Sequence, residues 1–254
     1  MEELLVFRVR VDSLGGIGVV EESFLPVPKQ EAETRICGLD VLQRDGVHHV
    51  AAGMSDGLVK IWTYREDVWE LKGTAAYGTC CLLHAKFIPL GGEDGKLVLL
   101  VAATDGQLAI YDVDGMAMQQ VWRQQVHRSG IKALSVHYMP DSRSITFYTG
   151  GDDCAIASTT VESNSNGWET QECTLMDRSH ASAVAAILPV CGGVITAGVD
   201  QKVKIWNKQL EAVSGVNSMV ADLGGAVLVD TSDGAKAVVV VGVGIEAWKV
   251  KEMG

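Results

Sequence analysis

Four aspartates, Asp56, Asp105, Asp153 and Asp200, stand 49, 48 and 47 residues apart. Each follows an apolar run, and each precedes by six residues a Trp, Tyr or Thr: Trp62, Tyr111, Thr159 and Trp206. The segments read AAGMSDGLVKIWTY, VAATDGQLAIYDV, YTGGDDCAIASTTV and VITAGVDQKVKIWNK. A worn fifth copy, VVVGVGIEAWKV, keeps Trp248, 42 residues after Trp206, and has lost the Asp. A unit repeated at this period cannot bury its own apolar face and must stack on its neighbours, which restricts the chain to a propeller or a related array.

The runs between the turns have strand periodicity. Residues 3–12 alternate, with Phe7, Val9 and Val11 on one face and Arg8, Arg10 and Asp12 on the other. With IGVVEESFLPV they predict a hairpin over 3–27, followed by a polar connector at 28–35. Four sets of four strands are expected over about 35–77, 79–125, 128–175 and 180–218, each with one strongly apolar strand. A last, incomplete set over 219–250 holds SMVADLGGAVLVD, KAVVVVGV and IEAWKV, and lacks a fourth strand. An N-terminal strand is placed to supply it, because pairing the two chain ends leaves no open edge. The polar stretch at 162–172 reads as a loop or protruding turn. No segment has helical apolar spacing, so the expectation is an all-β domain over residues 1–254.

The spacing also predicts a hydrogen-bond relay. His180, Thr196, Asp200 and Trp206 are ordered so that the turn Asp accepts from the His, the His reaches the strand hydroxyl, and the hydroxyl meets the indole N–H. The third unit keeps His127, Thr149 and Asp153, with Thr159 in place of the Trp. The first keeps Asp56 and Trp62, with Ala52 at the hydroxyl position, and the second keeps Asp105 with Tyr111. Buried polar groups of this kind are costly unless every one is satisfied, so these residues have a structural role without any chemistry. A catalytic His–Asp reading fails for want of a nucleophile beside either pair.

These residues form the WD-repeat pattern, and the resemblance covers nearly the whole chain. The order of the His127 unit, the His180 unit and the degenerate final AVVVVGVGIEAWKV resembles the C-terminal region of the WD repeat-containing protein 6 family and its fungal counterparts. AATDGQLAIYD and GVGIEAWKV are the most specific parts. The resemblance implies a WD-repeat β-propeller with about five recognisable blades, the C-terminal propeller of a longer scaffold or part of one. It also implies a non-catalytic regulatory subunit in the cytoplasm. Its partner would be a tRNA 2'-O-ribose methyltransferase acting at the wobble nucleotide, position 34, with tRNA met at most indirectly. Endosomal recycling is a secondary association of the same family. The chain departs from the pattern in length, since a WD propeller usually has about seven blades.

Composition bounds the alternatives. A net charge of -11 argues against a nucleic-acid-binding surface, which needs clustered Lys and Arg. The best local basic runs, Lys202 to Lys204 and Trp122 to Arg128, read as solvated faces. The six cysteines, Cys37, Cys80, Cys81, Cys154, Cys173 and Cys191, form no C-x-x-C pair and read as reduced thiols of an intracellular protein. No apolar run approaches the ~18 residues of a membrane span. LGGEDGK at 90–96 lacks the spacing and the Ser or Thr of a phosphate loop, and LGGIG at 14–18 precedes a strand where a dinucleotide fingerprint must open a helix. No glycine loop of the S-adenosylmethionine type is present. His48 and His49 point to opposite faces of an alternating strand and are poor joint metal ligands. Glu93, Asp94, Asp141, Asp152 and Asp153 are acidic turn residues, and Met116 and Met118 flank a turn. No cofactor or metal is expected. Two other functions stay open: a general protein–protein scaffold in trafficking or ubiquitin ligation, and an enzyme built in the hub of the propeller.

Overall fold

The computed structural model describes residues 4–13, 15–25, 34–90, 95–114, 118–138, 143–165 and 167–250. The phosphate-loop-like residues 91–94, Met116, Asp141 and most of the polar connector fall outside them. Every described element is a strand. A hairpin of β1 (Leu5–Val11) and β2 (Ile17–Phe24) comes first. The first blade is β3 (Ile36–Arg44), β4 (Val47–Met54), β5 (Leu58–Arg65) and β6 (Val68–Ala76). The second is β7 (Leu82–Leu90), β8 (Lys96–Ala103), β9 (Gln107–Asp112) and β10 (Gln119–Gln125). The third is β11 (Ile131–Tyr138), β12 (Ser144–Gly151), β13 (Ile156–Asn164) and β14 (Gly167–Met176). The fourth is β15 (Val184–Val190), β16 (Gly193–Gly198), β17 (Lys202–Asn207) and β18 (Ala212–Asn217). A fifth unit holds β19 (Ala221–Asp230) and β20 (Lys236–Val250). Within each blade the strands pair antiparallel in chain order.

The first strand of each unit, β3, β7, β11, β15 and β19, packs on the first strand of the next and lines the inner side of the arc. The second strand is buried on both faces, and its side chains divide by parity. On β8, Leu97, Leu99, Val101 and Ala103 face the first blade in one core cluster, while Val98, Leu100 and Ala102 face the third in another. Period-2 geometry sends successive side chains to opposite sheet faces, so only a run that is apolar at every position can glue two neighbours at once. The outermost strands carry the polar residues.

Among the described residues the end-to-end closure expected from the sequence is not formed. The first hairpin and the fifth unit are separate sheets. β2 instead takes the outermost place in the position before the first blade. Trp69 on β6 donates its indole N–H to Ser23 Oγ on β2 at 3.3 Å. Leu25 N donates to Leu4 O at 2.8 Å, as Tyr77 N does to Gly57 O after β6. Leu25 also joins Ala52, Met54 and Trp62 in a core cluster. The Ser23–Trp69 bond and the cluster around Leu25 hold the hairpin at the first blade.

Two further readings are corrected. The stretch at 162–172 is strand almost throughout, since β13 runs to Asn164 and β14 starts at Gly167. Its polarity reflects an outer strand wetted on both sides, not a loop. The final KAVVVVGV and IEAWKV form one element, β20. An extended run from Lys236 to Lys249 would span roughly 40 Å, yet Lys249 Nζ pairs at 2.6 Å with Asp233 in the turn before that same strand. β20 therefore doubles back near Gly244, whose φ of 124° glycine alone adopts readily.

Leu100 is fully buried between the second and third blades. Leu100→Ala should lower the unfolding free energy by about 2–5 kcal/mol, read from urea titration of tryptophan fluorescence. A change below about 0.5 kcal/mol would contradict the two-faced core.

Candidate functional site

The polar groups singled out by the repeat gather at the turns between the second and third strands. In the fourth blade, His180 Nδ1 lies 2.9 Å from Asp200 Oδ1, and His180 Nε2 lies 2.8 Å from Thr196 Oγ1. Trp206 Nε1 donates to Thr196 Oγ1 at 2.8 Å, and Asp200 Oδ2 accepts from Ala181 N at 2.8 Å. The proton order follows from the chemistry of the groups. An ionised carboxylate only accepts, so Nδ1 carries the hydrogen; neutral Nε2 then accepts from the Thr196 hydroxyl, whose oxygen accepts from the indole. Burial pushes Asp200 up, but the Ala181 N–H, His180 and the Lys202 N–H outweigh it and hold the carboxyl below its ordinary range. Burial lowers His180 against the opposing pull of Asp200, so the imidazole is neutral near pH 7.

The third blade repeats most of this. His127 lies 2.9 Å from both Asp153 Oδ1 and Thr149 Oγ1, and Arg128 N donates to Asp153 Oδ2 at 2.9 Å. Thr159 does not extend the relay; its hydroxyl lies 3.4 Å from Cys173 Sγ. In the first blade Asp56 is exposed, and among the described residues its carboxylate accepts from Leu58 N at 3.1 Å. Trp62 there packs on Leu25, Ala52 and Met54. Asp56 and Trp62 are thus a turn residue and a core residue, because Leu25 and Ala52 offer no polar side chain between them.

Several participants were not legible in the spacing. Tyr77 fills the His place of the second blade, donating to Asp105 Oδ1 at 2.8 Å while Arg123 salt-bridges Asp105 at 3.1 Å. The Arg123 guanidinium lies 4.0 Å from the centre of the Tyr77 ring. Burial, then the hydrogen bond and charge of Asp105, push the Tyr77 phenol above its ordinary value, keeping it a donor. Glu246 stands in for the lost turn Asp of the fifth unit: it accepts from Ser218 Oγ at 2.9 Å and Met219 N at 3.0 Å. Gly151 and Gly198 make room for the relays, because a Cβ at either would collide with the His and Asp of its own relay. The common signal is the segment that follows the outermost strands β6, β10, β14 and β18, where Tyr77, His127, His180 and Ser218 meet the carboxylate of the next unit.

Among the described residues, no buried side-chain nitrogen or oxygen lacks a partner, and no three His, Cys, Asp or Glu are grouped as metal ligands. His48 lies against Tyr64 and His49 against Phe87, with ring centroids 6.2 and 6.5 Å apart. No helix is long and apolar enough to cross a membrane.

Asp200→Ala should remove about 1–3 kcal/mol of stability by stranding His180 and two backbone N–H groups. Asp153→Ala should do the same, whereas exposed Asp56→Ala should stay within about 0.5 kcal/mol. Equal effects at all three would contradict the relay.

Acid should also weaken the fold. His180, His84 and His49 are all lowered from 6.5, chiefly by burial, so the unfolded chain binds more protons as pH falls below 6.5. Asp153 and Asp200, lowered from 3.8, add a second loss of stability below that pH. Urea titrations should show stability falling from pH 7 to pH 5 and falling again below pH 4; a flat profile would refute the neutral-imidazole assignment.

No family model matches the chain. It is 23% identical over 168 residues to Elongator complex protein 2 of Danio rerio, a match covering 52% of this chain and 20% of that protein. The chain thus spans about a fifth of the length of that curated relative. Among solved structures it superposes on Sqt1 of Saccharomyces cerevisiae with a TM-score of 0.71 at 10% identity, over 98% of this chain and 67% of that one. A chain of the mitotic checkpoint complex superposes with a TM-score of 0.62 at 16% identity, over 98% and 74%. Together with the repeated antiparallel four-stranded sheets, these matches establish an all-β fold of the WD-repeat propeller type.

Proposed function

We propose that this chain is a non-catalytic WD-repeat subunit that holds protein partners together. We propose further that its partner is a tRNA 2'-O-ribose methyltransferase working at the wobble nucleotide, position 34. The observation carrying the first part is that the ionisable groups of the repeat are consumed by internal hydrogen bonds. His127 and His180 have side chains with no exposed surface, and their aspartates are spent on them and on neighbouring backbone N–H groups. What remains for recognition is surface, and binding function in such folds resides in surface residues. The second part rests on the resemblance of the last two units and the degenerate tail to the WD repeat-containing protein 6 family. With a net charge of -11, tRNA contact would fall mainly to the enzyme.

A second reading is favoured by the match to an Elongator complex subunit and the superposition on a chain of a checkpoint complex. In it, the chain is a scaffold in an assembly with no methyltransferase. Affinity purification of the chain from its own cells, with mass spectrometry and wobble 2'-O-methyl mapping in a deletion strain, separates the two. The proposed role expects a ribose methyltransferase among the partners and loss of the modification. Intact methylation with other stable partners would leave the general scaffold.

A further inference from the structure

The segment that enters each blade is tied to the turn before the third strand by one recurring backbone bond. Ser55 N donates to Arg35 O, Thr104 N to Cys81 O, Asp152 N to Gly130 O and Val199 N to Ala183 O. The first strands then bulge at the same place, at Cys37, Leu83 and Lys132. Cys37 of the first blade thus corresponds to Leu83 of the second, and Cys81 before the second blade to Gly130 before the third. Those two places meet across neighbouring blades, since a Cβ on Gly130 would stand 3.6 Å from Leu83 Cδ1. Between the first and second blades the same two places hold thiols, and Cys81 and Cys37 share a side-chain hydrogen bond. β3 lies hard against β7 there, because a Cβ on Gly38 would stand 2.8 Å from His84 Cα. Between the third and fourth blades the places hold Lys132 and Ala183, so among the described blades one junction carries the pair.

We propose that Cys37 and Cys81 are a dithiol modification site, oxidised by a small-molecule disulfide to a reversible bond that locks the first blade to the second. The two thiols have different parts. Cys37 is exposed, and its S–H points at Arg35 O at 3.7 Å. Cys81 is half-buried; burial, then the hydrogen bond with Cys37, pushes its thiol up to about 11, so it keeps its proton. The thiolate is the attacking species in exchange and needs access to solvent, so Cys37 reacts first. Its Sγ gives its proton to solvent and attacks one sulfur of R–S–S–R; that S–S bond breaks, and R–S⁻ takes up a proton and leaves as R–SH. Cys81 Sγ then attacks Cys37 Sγ of the mixed disulfide. The Cys37–S–R bond breaks, and the Cys81 proton leaves on the second R–SH. Two protein thiols have lost two electrons, and one R–S–S–R has gained them. Thiols already in hydrogen-bond contact have only to close to the ~2 Å of an S–S bond. The bond would enclose all of β3 to β6, and a covalent loop of that length restrains the unfolded chain. In reducing compartments such bonds are transient and serve redox sensing. Cys80 has another place, packed against the apolar core between the first two blades.

The test uses the full chain in buffers of reduced and oxidised glutathione, quenched in acid, alkylated and read by peptide mass spectrometry. The proposal expects a Cys37–Cys81 cross-link, two hydrogens lighter than the two free peptides, in the wild type and in Cys80→Ala alike. In Cys81→Ser the mixed disulfide should accumulate at Cys37, adding the mass of one glutathionyl group. In Cys37→Ser neither product should form at these positions. Unchanged far-ultraviolet circular dichroism would verify that each variant folds. The oxidised wild type should melt about 3 °C or more above the reduced form, and dithiothreitol should reverse the shift. The absence of the Cys37–Cys81 bond overturns the proposal, as does a bond from Cys80 to either of the others in its place. So does a mixed disulfide at Cys37 that Cys81 leaves unresolved, or equal melting of the oxidised and reduced forms.

Discussion

Everything in this molecule depends on the stacking of one β-sheet face on the next. A four-stranded sheet has two faces and no interior, so a lone blade has nowhere to put an apolar side chain. The second strands solve this by being apolar at every position, and the alternation of β8 between two core clusters shows the division residue by residue. Burial at this density holds each blade to its neighbours.

The relays work at a second level. Stacking apolar faces fixes how far apart blades sit, but it is non-directional and tolerates sliding. The hydrogen-bonded His–Asp–Thr–Trp set is directional. It ties the segment entering a blade to the turn inside it, and by burying a neutral imidazole against a carboxylate it penalises any slip that would leave either unpaired. The second blade reaches the same end with Tyr77, Asp105 and Arg123, and the fifth unit with Ser218 and Glu246. Different side chains meet one geometric demand: a donor after the outermost strand and a carboxylate at the next turn. That substitution pattern explains why a reading anchored on His and Asp alone recovered the third and fourth blades and saw little in the others.

The functional reading follows from the same division of labour. Groups that would attract a mechanistic interpretation are inside, paired and structural, while the outer strands stay at the surface.

The sequence by itself determined the all-β class, the repeat period, the strand sets and the His180 and His127 relays, because those depend on local periodicity and on fixed spacing within one unit. It could not reveal that Asp56 is a solvated turn residue, since that depends on Leu25, 31 residues earlier, filling the place where a His would have stood. Nor could it place the first hairpin, whose strands pair with each other in either setting. Only the tertiary contacts of Ser23 with Trp69 and of Leu25 with Ala52, Met54 and Trp62 decide that it covers the first blade. Strand propensity is local and says what a segment becomes; which neighbour it covers is settled by the packing of side chains far apart in the chain.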